Sequence, residues 1–167
     1  MPNIQTAFNV NHVVAVPGAI ADNAPTVQDT KLAAAQINFG TFVCKSTSPA
    51  SGVDQTANPS ATTDVTARAH GIALYDETVR NGFGYELNRP VKILRRGRVW
   101  VVCETDVAIV DGAGVFVRFA ANGAGKLQLG AFRADADTAN AVALPGCVFR
   151  FGFTTGTLAL VEINIPA

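Results

Sequence analysis

The stretch Arg89-Pro90-Val91-Lys92-Ile93-Leu94-Arg95-Arg96-Gly97-Arg98-Val99-Trp100-Val101-Val102-Cys103-Glu104 decides how the chain is read. Two β-branched runs flank a short basic segment with a glycine in it, the pattern of a β-hairpin. With Arg95 to Gly97 as a three-residue turn, Ile93 faces Val99, Val91 faces Val101, and Lys92 lies opposite Trp100 within cation–π reach. Val99, Val101 and Cys103 then line one side of the second strand, with Trp100 and Val102 on the other. Such a strand is expected to be covered on both faces, either by two layers of its own domain or by a partner. The segment carries the only tryptophan and the tightest cluster of positive charge, yet no group arranged for catalysis.

Outward from it, the β signal continues. Val115, Val117 and Phe119 share a face with Arg118 opposite, and Leu127, Leu129 and Ala131 follow after a glycine-containing loop. The last ribbon puts Cys147, Phe149, Phe151 and Phe153 on one face and turns at Thr154 to Gly156. It returns with Ala159, Val161, Ile163 and Ile165, which makes Arg150 and Glu162 outer-face neighbours. Slipping this pairing by one residue would expose the whole phenylalanine set, so the register is strongly specified.

Upstream the organisation is looser. Residues 1–30 alternate short apolar pieces with Pro17, Gly18 and Pro25 and read as an extended arm. Asp29 to Ile37 is the one stretch with helical propensity, capped at Asp29 or Thr30. Strand patterns follow at Ile37 to Val43 and Ala69 to Tyr75. Between them residues 46–64 are almost wholly polar and read as a surface excursion. The expectation is a single all-β domain over residues 31–167 with the arm attached, a jelly roll or β-sandwich of antiparallel hairpins.

Composition narrows the function. Thirteen basic and 13 acidic residues give no net charge, which argues against a dedicated nucleic-acid binder. Charged residues make up only 16% of the chain and apolar ones 49%, consistent with surface covered by partners. No leader sequence or apolar span of membrane length is seen. Cys44, Cys103 and Cys147 are odd in number and widely spaced, so they read as inert core thiols. His12 and His70 stand apart, and no metal-ligand spacing is present. Asn122 to Leu127 only superficially resembles a phosphate loop, since no Ser or Thr follows Lys126 and no helix comes after it. Asp135 and Asp137, with Asp106 and Asp111, lack calcium-loop spacing. No catalytic, cofactor or metal residue is therefore assigned, and no small-molecule substrate, nucleic acid or membrane is expected as a partner. The candidate protein-contact residues are Lys92, Arg95, Arg96, Arg98 and Trp100, whose charge suits register and association rate.

The order of these elements resembles the structural cement, or head decoration, proteins of tailed bacteriophages. The likeness is carried by Pro17-Gly18-Ala19-Ile20-Ala21-Asp22, by Asn38-Phe39-Gly40-Thr41-Phe42-Val43, and above all by Arg89 to Val101. Gly112 to Val117 and the final hairpin keep the same order. The resemblance implies a non-enzymatic protein, made in the host cytoplasm, that binds the outer surface of an icosahedral head. There it would stabilise contacts between neighbouring capsomers, with the major capsid protein as partner and a homodimer, or alternatively a trimer, as its own assembly. A carbohydrate- or receptor-binding module of a phage particle is the alternative function.

Overall fold

The computed structural model describes residues 15–22, 25–48, 53–79, 82–104, 106, 108–122, 125–151 and 157–166. His12, Phe153 and the turn expected at Thr154 to Gly156 lie outside the described residues. The chain is all-β, as expected, with strands β1 (Val27–Ala33), β2 (Ile37–Asn38), β3 (Phe42–Lys45), β4 (Gln55–Ala57), β5 (Ala69–Ala73) and β6 (Gly84–Tyr85). Strands β7 (Pro90–Val102), β8 (Gly114–Arg118), β9 (Phe132–Arg133), β10 (Ala141–Phe151) and β11 (Leu158–Asn164) follow, and a one-turn helix α1 (Thr62–Thr66) precedes β5.

The expected hairpin at Arg95 to Gly97 is not a turn. Residues Pro90–Val102 form one continuous strand of 13 residues. Opposite β1, Val27 pairs with Arg96 but Gln28 pairs with Leu94, so Arg95 is the extra residue of a β-bulge. One inserted residue inverts the alternation of faces, and burial records the inversion. Val91 and Ile93 point into one core, whereas Leu94, Val99 and Val101 belong to the other. The phase change that reads as a turn in the sequence is this bulge. Gly97 beside it sits at φ +135°, a conformation closed to ordinary side chains.

β7 is the axis of the fold. Strands pair in the order β1-β4-β3-β5-β7-β11-β10-β8-β9, and β1 also pairs directly with β7. The first five strands therefore close a ring. At the other end Cys103, just beyond β7, bridges to Phe132 of β9, and the Glu104 N–H donates to the Phe132 carbonyl at 3.1 Å. That closes a second ring through the same strand. β5 approaches β7 closely at Gly71, where a Cβ would lie 2.1 Å from the Leu94 carbonyl oxygen.

Two cores result. Ala33, Val43, Ala73, Val91 and Ile93 fill the first with Ile37, Phe39 and Tyr85. The second holds Phe42, Ile72, Leu94, Val99, Val101, Val117, Phe132, Phe149 and Val161, with Val65 of α1 and Leu144 packed in. The segment 18–21 runs along β7: Gly18 N–H donates to Trp100 O at 2.7 Å, and Trp100 N–H to Ala19 O at 2.9 Å.

Three local expectations change. Asp29 to Ala33 is strand, not helix: pairing with β7 and β4 outweighs a propensity worth only tenths of a kcal/mol per residue. The polar stretch 46–64 contributes β4 and the start of α1. There the buried Asp64 carboxylate accepts the N–H groups of Ser60 at 2.7 Å and Ala61 at 3.0 Å, and pairs with Arg68. Burial pushes the Asp64 carboxyl up, but those donors and Arg68 hold it below its ordinary value. β8 pairs with β9 on one side and β10 on the other; of residues 127–131 only Gly130 and Ala131 reach it, through Arg118, and Leu127 is exposed. The last ribbon forms largely as read, with Cys147, Phe149, Ala159, Val161 and Ile163 buried. A bulge between Phe149 and Phe151 turns Phe151 outward.

Candidate interaction surface

The five residues read as a hairpin cluster are strung along one strand. Lys92 and Trp100 are eight positions apart, roughly 26 Å at about 3.3 Å per residue, so they cannot stack. Lys92 Nζ pairs with Asp76 at 3.0 Å, and Asp76 also accepts the Thr78 hydroxyl at 2.7 Å. The Thr78 hydroxyl and N–H, then Lys92, bring the Asp76 carboxyl down to about 2. Arg95, the bulged residue, donates to the Pro166 carbonyl. Arg96 is exposed. Arg98 reaches Asp22 at 3.4 Å and Glu162 at 3.1 Å.

Trp100 belongs to an apolar row. It pairs laterally with Leu160 of β11, which pairs in turn with Phe151 of β10. The Trp100 and Phe151 rings meet edge to face, with centroids 5.9 Å apart. Leu158 and Val102 pair one step along. Of the two coverings expected, a second layer of the domain is not found on this side of β7 among the described residues: Trp100, Val102, Leu158 and Leu160 are half-buried and Phe151 is 53% exposed. Along its border Glu162 accepts from both Arg150, at 2.9 Å, and Arg98. The outer-face pair of Arg150 and Glu162 is thus present. Arg150, then Arg98, lowers the Glu162 carboxyl. Solvent screens exposed pairs of this kind, so their contribution is orientation more than stability. Exposed apolar area bordered by charge is what a protein interface looks like before its partner arrives.

A second charged group escaped the sequence reading. Arg118, expected on the outer face of β8, has a fully buried side chain. Its Nη2 donates to Glu104 at 2.9 Å, its Nε to the same carboxylate, and its Nη1 to the Ala120 carbonyl at 2.8 Å. Arg133, also buried, donates to Glu104 and to Asp135, the latter at 2.5 Å. Asp137 accepts from Arg118 and from Asn122 at 2.7 Å. The bonds it donates to Glu104 foremost raise the Arg118 guanidinium above its ordinary value. Burial alone would lower Arg133, but Asp135 and Glu104 outweigh it and leave it raised.

Three of the four aspartates considered for calcium are thus engaged with cations, Asp135 and Asp137 with Arg133 and Arg118 and Asp106 with Lys126 at 3.2 Å, while Asp111 is exposed. The network also clamps residues Asp137, Thr138 and Ala139, which hold successive positive φ of 42°, 53° and 75°. Left-handed backbone without glycine costs about 1–3 kcal/mol per residue and persists only where surroundings impose it. The three cysteines are free and buried.

Comparison with known proteins agrees with this architecture. A chain of the solved structure "The capsid of Myoviridae Phage XM1" superposes with a TM-score of 0.72 at 16% identity, covering 98% of each chain, which establishes a shared fold. No curated protein matches. The family model described as structural cement protein (E217 gp24/Pam3 gp6) matches residues 4–164, nearly the whole chain, and the chain belongs to that family of phage structural cement proteins.

Proposed function

We propose that this protein is a non-enzymatic cement subunit that binds the outer surface of an icosahedral phage head and ties neighbouring capsomers together. The observation that carries the reading is the family match across residues 4–164. Two rings closed through one strand suit the task, because a closed sheet offers few free edges and deforms little. Its partner is the major capsid protein, met many times over on a lattice, so modest individual contacts add to a large avidity. A twofold dimer is the assembly we favour for the free protein, with a trimer as the alternative.

The contact surface is the β7–β11–β10 face. Trp100 and Phe151 supply the apolar anchor, and Arg98 with Glu162 and Arg150 sets orientation. Arg96 extends the contact along β7, whereas the bulge sends Lys92 to the other side of the strand, toward Asp76, and Arg95 toward Pro166.

The test is add-back to shells prepared without the protein. Complete shells should withstand heat and osmotic shock that disrupt bare ones, and restoring the protein should restore resistance. Bare shells that survive as well as complete ones would end the proposal. The double variant Trp100→Ala, Phe151→Ala should fold and yet bind shells at least tenfold more weakly, as loss of a central aromatic anchor does.

A further inference from the structure

A cleft of about 490 Å³ opens beside the bulge of β7. Its wall includes Lys31, Lys45, Arg68, His70 and Arg95, drawn from β1, β3, the end of α1, β5 and β7. Four cations therefore converge against two lining carboxylates, Asp29 and Asp54, on a protein with no net charge.

The pairing within the cleft is uneven. Lys31 takes both carboxylates, Asp54 at 2.6 Å and Asp29 at 3.1 Å, and Arg68 is bound to Asp64. Lys45 and Arg95 form no close salt bridge with a carboxylate among the described residues, Asp54 and Asp29 acting on them only at longer range, and Arg95 donates to the Pro166 carbonyl. Two buried side-chain nitrogens that lack hydrogen-bond partners, His70 Nδ1 and Arg68 Nε, belong to residues lining this same cleft. Leaving such groups unsatisfied is unfavourable, and native proteins rarely tolerate it without a reason. Burial foremost holds the His70 imidazole below its ordinary value, and in the tautomer protonated at Nδ1 that nitrogen can donate to a carboxylate.

We propose that this cleft is a carboxylate-binding site, filled by an acidic side chain or short acidic segment of a neighbouring protein on the shell, an assignment that rests on the cement reading above. Carboxylate fits better than nucleic-acid phosphate. Lys45 and Arg95 form a point site in a recess, not the extended basic track that follows a phosphate backbone. The bulge acquires a purpose under this reading: an unbulged β7 would direct Arg95 elsewhere.

The experiment is a titration of the isolated protein with a capped triglutamate peptide, followed by NMR at the His70 ring and the Arg95 side chain. Saturable shifts at both are expected. Arg95→Ala and Lys45→Ala should each weaken binding about tenfold, the loss expected for one charge-assisted hydrogen bond. Arg96→Ala, with no part in the cleft lining, should leave it unchanged. Absence of saturable shifts, or undiminished binding by both cleft variants, overturns the site. Tighter binding of a DNA oligonucleotide of equal charge overturns the choice of carboxylate.

Shell binding separates this proposal from the one beneath it. Lost peptide binding beside intact wild-type shell stabilisation refutes the cleft alone, whereas intact peptide binding without stabilisation refutes the cement reading alone. If the double variant Arg95→Ala, Lys45→Ala still binds shells at full strength, the occupant is not a shell protein.

Discussion

Glu104→Gln is the sharpest perturbation of the fold. Its carboxylate accepts from Arg118 through Nε and Nη2 and from Arg133 through Nη1, with 7% of its side chain exposed. The amide is nearly isosteric but carries no charge, and its NH2 must face a guanidinium. Two buried cations then share what remains of their partners, Asp135 and Asp137. Removing one member of a buried ion pair costs about 3–5 kcal/mol, chiefly because the charge left behind stays desolvated. That amount is a large share of a domain's stability, since total stabilities run about 5–15 kcal/mol. At about 2–4 °C per kcal/mol, the melting temperature should fall by about 6–20 °C. Guanidinium unfolding of the purified variant, monitored at Trp100, gives the free energy, and calorimetry gives the temperature. A loss below about 1 kcal/mol would mean the guanidinium groups are hydrated after all, and the account of this cluster would be wrong. The triple variant Glu104→Leu, Arg118→Met, Arg133→Met should lose less than Glu104→Gln alone, because it strands no buried cation.

Gly97→Ala tests the bulge. A Cβ there would lie 2.9 Å from Thr26 Cγ2 on a backbone at φ +135°, and a cost of about 1–3 kcal/mol should appear as a lower guanidinium midpoint. An unchanged midpoint would show the bulge to be plastic. Asp76 makes stability fall in acid: its carboxyl titrates near 3.8 unfolded and at about 2 folded, so its contribution is whole above about pH 4 and is lost as pH falls through 2. Asp76→Asn should be less stable than the parent at pH 6 and equal to it below pH 2; a constant gap would refute the linkage. Burial pushes the Cys44 thiol up to about 12 and Cys147 to about 11, and raises Cys103 further. Thiol reagents at pH 8 should leave all three untouched until the protein unfolds, and rapid labelling of any one in the native state would contradict their burial.

Much of the fold was legible because alternation reports burial directly. The last ribbon shows this: Phe149, Ala159, Val161 and Ile163 are buried as their spacing demands, and Arg150 meets Glu162 outside. What failed was any feature whose cause lies far away in the chain. Arg95 to Gly97 changes the phase of alternation, and a turn and a bulge do that equally well; only the partner β1, more than sixty residues upstream, distinguishes them. Asp29 to Ala33 has helical composition but finds two strands to pair with. Arg118 alternates as an outward residue should, yet β9 brings Arg133 beside it and the end of β7 brings Glu104. A buried charge is invisible to hydropathy until its counter-charge is placed. Of the contact candidates, Trp100 and Arg98 share an open face, whereas Lys92 and Arg95 are drawn to Asp76 and Pro166 by loops no local pattern reveals.

The use of β7 by both rings also sets a timetable for synthesis. On the ribosome, β1 waits for residues 90–96, and the first ring can close only once β7 has emerged. The β11 edge of Arg96 to Val102 stays unpaired until residues 158–164 follow. At about 5–20 residues per second, that interval is several seconds during which a β-branched edge is open to other nascent chains. Slower translation across residues 103–157 should therefore lower the yield of soluble protein, and a chaperone that shields strand edges should restore it.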